Sequence, residues 1–342
     1  MKALRLEEIG RLALVDVERP GIDEDELLIY TGAAVICTSD INDLRENPFG
    51  IELPVVMGHE GAGTVAATGA AVEGFRVGDR VATHPVHPCL HCGTCRRGMA
   101  HLCPNMAHFG INMPGTFAEY YVVRQDRARK MPDDVPMEAA ALAEPVCVCL
   151  EALERAQVTA GSRLLILGDG PFGVLIARLA RAAGVAHVVL AGRHAFRLGF
   201  AGDVQKVHVK GVADPVAALR KAAGSADGYD AAILAAGSAE AVTQGIELLV
   251  PRGRLVVFSA LTGKTPVDLF RVHVKELQVV GACNDRDMLD RAVGLLADAR
   301  LDLAGMVTHR FDISQYEQAF ELASRGREEA MKVAFTFEGD RA

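Results

Sequence analysis

The chain has 342 residues, half of them hydrophobic, with eight cysteines and a formal net charge of −8. That length suits about two domains, and the acidic balance argues against a nucleic-acid surface, which needs clustered positive charge. No apolar run reaches the roughly 18 residues of a membrane span, and the opening Met1-Lys2-Ala3-Leu4-Arg5 lacks the apolar stretch of a secretion signal, so a cytoplasmic protein without membrane contact is expected. In chain order, residues 12–17 and 26–31 read as strands, with Pro20-Gly21 marking a turn between them. The second strand is expected to run on through residues 33–40, and Gly58, Gly61 and Gly63 suggest a tightly curved small barrel. Cys37, His59 and Glu60 are each read as closing an apolar strand. Thiolate, imidazole and carboxylate are the three zinc-ligand types, and a catalytic site combines three protein ligands with one open position. Taken singly, Cys37 also reads as a small buried apolar residue and His59 as a core histidine.

The second cluster is sharper. Cys89, Cys92, Cys95 and Cys103 follow a C-x2-C-x2-C-x7-C pattern, flanked by Pro85, Pro88, Gly93, Gly98 and Pro104. Four thiolates on a tight loop suit a closed, structural tetrahedral zinc that fixes a lobe of about 84–104 with little core of its own. A nucleic-acid zinc finger is disfavoured, because no recognition helix follows and the chain is acidic. His84, His87, His91, His101 and His108 crowd this region and read as surface loop residues, since four cysteines complete the ligand set.

The middle of the chain alternates strand and helix. Residues 162–167 form a short apolar run that ends in Gly168-Asp169-Gly170-Pro171-Phe172-Gly173, a G-x-G-x-x-G pattern. Val174, Leu175, Ile176, Leu179 and Ala180 then recur at helical spacing until Gly184. Strand, glycines and helix in this order predict a dinucleotide site, with the diphosphate at the helix N-terminus. The next strand, residues 187–191, should end in Asp or Glu in an NAD enzyme. It ends in Gly192, followed by Arg193 and Arg197, and no acidic residue occurs from Val185 through Gly202. Two arginines without a carboxylate favour NADP(H) over NAD(H). Further strands are expected at 206–209, 229–234 and 253–258, and helices at 216–223 and 239–249, which is a doubly wound fold. The loops holding Ala236 and Ser259 should line the nicotinamide and ribose pocket.

Together these pieces resemble the zinc-dependent medium-chain dehydrogenase/reductase family, of the alcohol, sorbitol and threonine dehydrogenase kind. The resemblance runs through Cys37-Thr38-Ser39-Asp40, Gly58-His59-Glu60, the four-cysteine lobe, Gly115-Thr116-Phe117-Ala118-Glu119-Tyr120, Glu144-Pro145 and Gly168 to Gly173. It implies a Rossmann doubly wound parallel sheet inserted in a β-rich GroES-like catalytic domain. The expected bounds are 1–146 and 280–342 for the catalytic domain and 147–279 for the dinucleotide domain. It further implies a catalytic zinc on Cys37, His59 and a third ligand, which in the polyol branch is the Glu of a Glu-Pro pair, here Glu144. Glu60 would lie beside it, bound directly or through water. Cys147 and Cys149 read as helix packing residues, with a ligand role only if Glu144 has none. Ser39 resembles the hydroxyl that passes the alcohol proton toward the cofactor ribose, and Asp40 the carboxylate that orients the histidine. Many relatives carry His where this chain has Asn42, which cannot titrate. Lys332 resembles a position that touches the cofactor phosphates.

Toward the end, residues 276–281 resemble the strand returning to the catalytic domain, at an edge through which relatives form homodimers or homotetramers. Arg286 reads equally as a contact to a polar substrate or the cofactor pyrophosphate and as a solvated charge, and residues 309–320 as one amphipathic element. Phe49, Phe109, Ile111 and Phe270 are expected to shape the substrate pocket. The expected activity is NADP(H)-dependent interconversion of a secondary alcohol and a ketone on a small polar polyol, sugar or cyclitol, with two zinc ions per chain. The alternatives are an NAD-dependent threonine or secondary-alcohol dehydrogenase and a non-catalytic dinucleotide-binding protein. The open metal site of Cys37, His59 and Glu144, with Ser39 beside it in the resemblance, argues against the last.

Overall fold

Glu26–Val35 is a ten-residue strand with apolar side chains on both faces, and burial on both faces makes it the middle of its sheet. In the computed structural model, which describes residues 1–48, 50–261 and 263–337, it pairs antiparallel with Glu60–Thr68, with Tyr120–Arg124 and with Lys332–Thr336. Two of these registers position chemistry. Val35 stands opposite Glu60 on one side and opposite Ala334 on the other. Counting onward antiparallel, His59 falls beside Ile36, and Lys332 falls beside Cys37.

The strand ends at Val35 rather than continuing to residue 40, and Thr38–Glu46 is a helix. Asp40 is the reason: its carboxylate accepts the N–H of Cys37 at 2.8 Å and so caps the first turn. Glu60 correspondingly opens a strand instead of closing one. Near the C-terminus, the single amphipathic element expected over 309–320 is two. Val307–Phe311 is a strand parallel to Lys332–Thr336, and Tyr316–Arg325 is a helix. Between them Asp312 accepts the Ser314 N–H and Gln315 reaches back to Asp312, a capping box that breaks the chain direction.

The chain divides into two compact units. One comprises Met1–Cys147, Arg286–Gly326 and the segment from Ala330; the other comprises Val148–Asp285 with residues 327–329. The second unit holds six parallel strands in the order Gln205–His208, His187–Gly192, Arg163–Leu167, Tyr229–Leu234, Leu249–Val257 and Gln278–Gly281. Chain order reverses outward from Arg163–Leu167, so its carboxyl end is the switch point where a doubly wound sheet binds ligands. Leu165, Leu167, Val189, Leu234, Ile246 and Leu255 form its buried core against the helices. One unit is thus a doubly wound parallel sheet and the other is β-rich, the two architectures that the resemblance implied.

Candidate active site

Cys37, His59 and Glu60 come together because of the register just described. Each offers one ligand atom, and these atoms lie within 4.8 Å of one another. Asp40 serves two of them. One oxygen holds the Cys37 backbone, and the other lies 3.3 Å from His59 Nδ1. That leaves His59 Nε2 directed away from Asp40, with Ser39 Oγ 3.4 Å from it. Burial alone would lower the His59 pKa, but the Asp40 charge and hydrogen bond, with Cys37, hold it well above its usual value. Burial, followed by the charge of Glu60, pushes the Cys37 thiol up.

The two carboxylates differ in their partners. Glu60 is fully buried, and Lys332 Nζ donates to its two oxygens at 2.6 and 2.5 Å. Glu144 lies in the first turn of the Ala143–Ala156 helix, outside the 4.8 Å group. Its buried Oε2 has no hydrogen-bond partner among the described residues, and burial raises its pKa to about 7. A buried carboxylate oxygen without a partner costs free energy unless a cation or donor meets it. The donor set of one thiol, one imidazole and two carboxyls, one of them orphaned, fits a zinc ion.

Lys332 is not exposed toward a phosphate. Only 3% of it is accessible, and its ammonium is committed to Glu60 inside the first unit. This corrects the expected cofactor contact, because a buried ammonium must keep the charge that compensates it.

In the lobe, the sulfurs of Cys89, Cys92, Cys95 and Cys103 stand 3.4 to 4.0 Å apart where they touch, and all four cysteines are free. Zinc–sulfur bonds of about 2.3 Å in a tetrahedron require sulfur–sulfur edges of about 3.8 Å. The His91 N–H draws the Cys89 pKa down to about 6, whereas desolvation and the sulfurs of Cys92 and Cys103 push Cys95 up to about 12. Four thiolates therefore cannot share this space without a cation, and the set fits a closed zinc site.

The histidines depart from expectation. His91 is exposed, but His84, His87 and His101 are buried, and the His87 ring packs 5.0 Å from Phe109. His108 is half-buried with its ring centroid 5.8 Å from that of His59. Burial and the neighbouring His59 lower its pKa to about 3, so it is neutral at ordinary pH. Phe109 is fully buried against Tyr121 and belongs to the core, whereas Phe270 is 76% exposed and Ile111 is half-buried. Phe49 lies outside the described residues. Asn42 and Arg286 are exposed, and Cys147 and Cys149 are buried in the Ala143–Ala156 helix.

In the second unit two of the three motif glycines have a steric reason. Gly168 has φ +126°, and a Cβ there would sit 2.7 Å from the Ala235 carbonyl and 2.9 Å from the Ala236 Cβ. A Cβ on Gly173 would fall 1.9 Å from the Gly168 carbonyl oxygen. Gly170 instead faces open space and precedes Pro171 at the start of the Pro171–Ala182 helix, whose first N–H groups have no side-chain cap. Such an uncapped end suits a diphosphate. Phe172 packs edge-on to Phe258 at 5.3 Å, and Ala236 and Ser259 lie half-buried in loops after the strands that flank this end.

One residue was overlooked as a mere spacer. The carboxylate of Asp169 lies against Gly192, so a Cβ on Gly192 would be 2.3 Å from the Asp169 Cβ. An acid therefore does reach the end of the His187–Gly192 strand, from another segment. Its Oδ2 accepts the N–H groups of Arg193 and His194 at 2.7 and 2.6 Å. Arg193 is exposed, and Arg197 is half-buried with its pKa lowered by burial.

Residues 23–133 match the alcohol dehydrogenase GroES-like domain, and residues 171–298 match the zinc-binding dehydrogenase domain. The chain is 32% identical over 318 residues to an L-threonine 3-dehydrogenase of Anaeromyxobacter dehalogenans, covering 91% of this chain and 92% of that protein. It is 34% identical over 326 residues to a sorbitol dehydrogenase of Bombyx mori, covering 92% of each. A zinc-binding dehydrogenase from Sinorhizobium meliloti, solved bound to NADP, superposes with a TM-score of 0.88 at 30% identity, covering 98% of this chain and 99% of that one. Among the described residues, no helix is long and apolar enough to cross a membrane.

Proposed function

This chain belongs to the zinc-dependent medium-chain dehydrogenase/reductase family, and from that premise we propose that it moves a hydride between NADP(H) and a secondary alcohol or ketone of a polyol, sugar or cyclitol. At the coarser level it is an oxidoreductase acting on CH–OH groups with a nicotinamide cofactor. The observation that carries the reading is the convergence of Cys37, His59 and Glu60 within 4.8 Å of one another, with the orphaned carboxylate oxygen of Glu144 as a further buried donor. A protein that only stored a dinucleotide would have no use for such donors.

We assign Cys37, His59 and Glu144 to the catalytic zinc, because the charge of Glu60 is already met by Lys332 whereas that of Glu144 is not. When bound there, zinc supplies the Lewis acidity that lowers the pKa of the alcohol and stabilises alkoxide-like charge. Asp40 keeps His59 in one orientation. Ser39, half-buried beside His59 Nε2, would relay the alcohol proton, accepting it as its own hydroxyl proton passes on toward the cofactor ribose. Cys89, Cys92, Cys95 and Cys103 hold the structural zinc. Gly168, Gly170, Pro171, Phe172 and Gly173 cradle the diphosphate, Ala236 and Ser259 line the nicotinamide side, and Gly192, Arg193 and Arg197 meet the adenosine phosphate. The assembly is a homodimer or homotetramer.

A second reading, an NAD(H)-dependent threonine or secondary-alcohol dehydrogenase, is favoured by the 32% identity to an L-threonine 3-dehydrogenase over 91% of this chain. A screen of sugar alcohols, cyclitols, threonine and simple secondary alcohols with both cofactors, read as kcat/KM, separates the two. Metal analysis should find about two zinc ions per chain, one stripped easily with loss of activity. Glu144→Gln should lose that ion more readily than Glu60→Gln does. Full zinc with no hydride transfer to any of these substrates would refute the reading.

A further inference from the structure

We infer that Asp169 is a positioning residue that fixes the Gly192-Arg193-His194 turn and so sets the cofactor preference of the enzyme. The carboxylate is only 7% exposed and is held by four contacts to this turn. Oδ2 accepts two successive backbone N–H groups, from Arg193 and His194, and His194 Nδ1 lies 3.2 Å from both oxygens. Charge-assisted bonds of this kind are roughly twice as strong as neutral ones. The His194 ring supports the turn again, and His208 Nε2 donates to the Arg193 carbonyl at 3.1 Å. Both amide hydrogens of the turn are consumed, so a 2′-phosphate there must be read by the side chains of Arg193 and Arg197. Pinning the Arg193 backbone fixes the point from which its guanidinium projects.

The same geometry explains why residue 192 is glycine. A Cβ there would lie 2.3 Å from the Asp169 Cβ and 2.5 Å from Oδ2, so a carboxylate on the strand itself and Asp169 exclude one another. Asp169 turns its charge inward to the amides, where a strand-end acid would turn it outward to the ribose hydroxyls.

The inference rests on the NADP(H) reading, and the test separates the two. KM and kcat are measured for NADPH and NADH in the wild type, Asp169→Ala, Asp169→Asn and Arg193→Ala. Asp169→Ala should raise KM for NADPH about tenfold, with the KM for NADH moving by no more than about twofold and kcat unchanged, on the usual loss for one charged contact. Asp169→Asn keeps an acceptor for the two amides and should recover most of the preference. If Asp169→Ala weakens NADH more than NADPH, the carboxylate faces the ribose and the inference is overturned. Equal losses for both cofactors would leave Asp169 a structural support only, which also overturns it. If Arg193→Ala leaves the NADPH-to-NADH ratio unmoved, the NADP(H) reading itself fails. If Arg193→Ala shifts the ratio while Asp169→Ala does not, only this inference falls.

Discussion

Glu60 and Lys332 are 272 positions apart, and both are almost wholly withdrawn from solvent. Each compensates the charge of the other. Burial pushes the Lys332 pKa down, but the charges of Glu60 and Cys37 more than restore it. Lys332→Met should therefore strand the Glu60 charge and cost the metal-free protein about 3–5 kcal/mol in denaturant unfolding. A loss below about 1 kcal/mol would mean that the pair contributes little to holding the fold. This pairing was invisible in the sequence because it depends on the alignment of Lys332–Thr336 with Glu26–Val35, a long-range register that no local pattern encodes. Cys37, His59 and the four lobe cysteines were legible because their residue types and spacing carry the chemistry themselves. Asp169 was read past, since the glycine pattern treats its position as free.

The elements tell a similar story at larger size. The strand–helix alternation of the second unit follows from apolar runs of the right length and was legible within a few residues. The Thr38–Glu46 helix was not, because the capping carboxylate Asp40 overrides the apolar run that precedes it. The turn at Gln125–Arg127 shows how such polar contacts anchor an element. Arg124 grips both oxygens of Asp126 at 2.9 and 2.8 Å and donates to the carbonyl of Pro88, next to the first lobe cysteine. Burial would raise the Asp126 pKa, but the Arg124 hydrogen bond and the charges of Arg127 and Arg124 leave it below the usual carboxylate value. A depressed carboxylate stabilises the fold above its unfolded pKa, near 4, and that contribution fades as pH falls through the folded value. Asp126→Asn should thus cost about 1 kcal/mol at neutral pH, a figure discounted for the partial exposure of the group. The gap in Tm between variant and wild type should narrow from pH 5 toward pH 3. A gap that stays constant over that range would remove the ion pair from the account.

For the whole molecule, the six-stranded sheet ends on Gln278–Gly281, whose outer side carries no strand among the described residues. Exposed sheet edges are ordinarily blunted by charge, bulges or a covering element. Here Val279 is 45% exposed on the edge strand, and the nearby Leu269–Val274 helix offers Leu269, Phe270 and Val274 at 72, 76 and 56% exposure. A chain with a formal charge of −8 that leaves such side chains bare on one edge is best explained by a second copy. Two such edges related by a two-fold axis run antiparallel, so they can pair backbone to backbone and bury the same residues on both sides. The protein should therefore sediment as a dimer or a multiple of one at micromolar concentration. Phe270→Glu combined with Val279→Lys should shift it to monomer while leaving the far-ultraviolet circular dichroism unchanged. A wild-type protein that sediments as a monomer across that range would show that these side chains have another purpose.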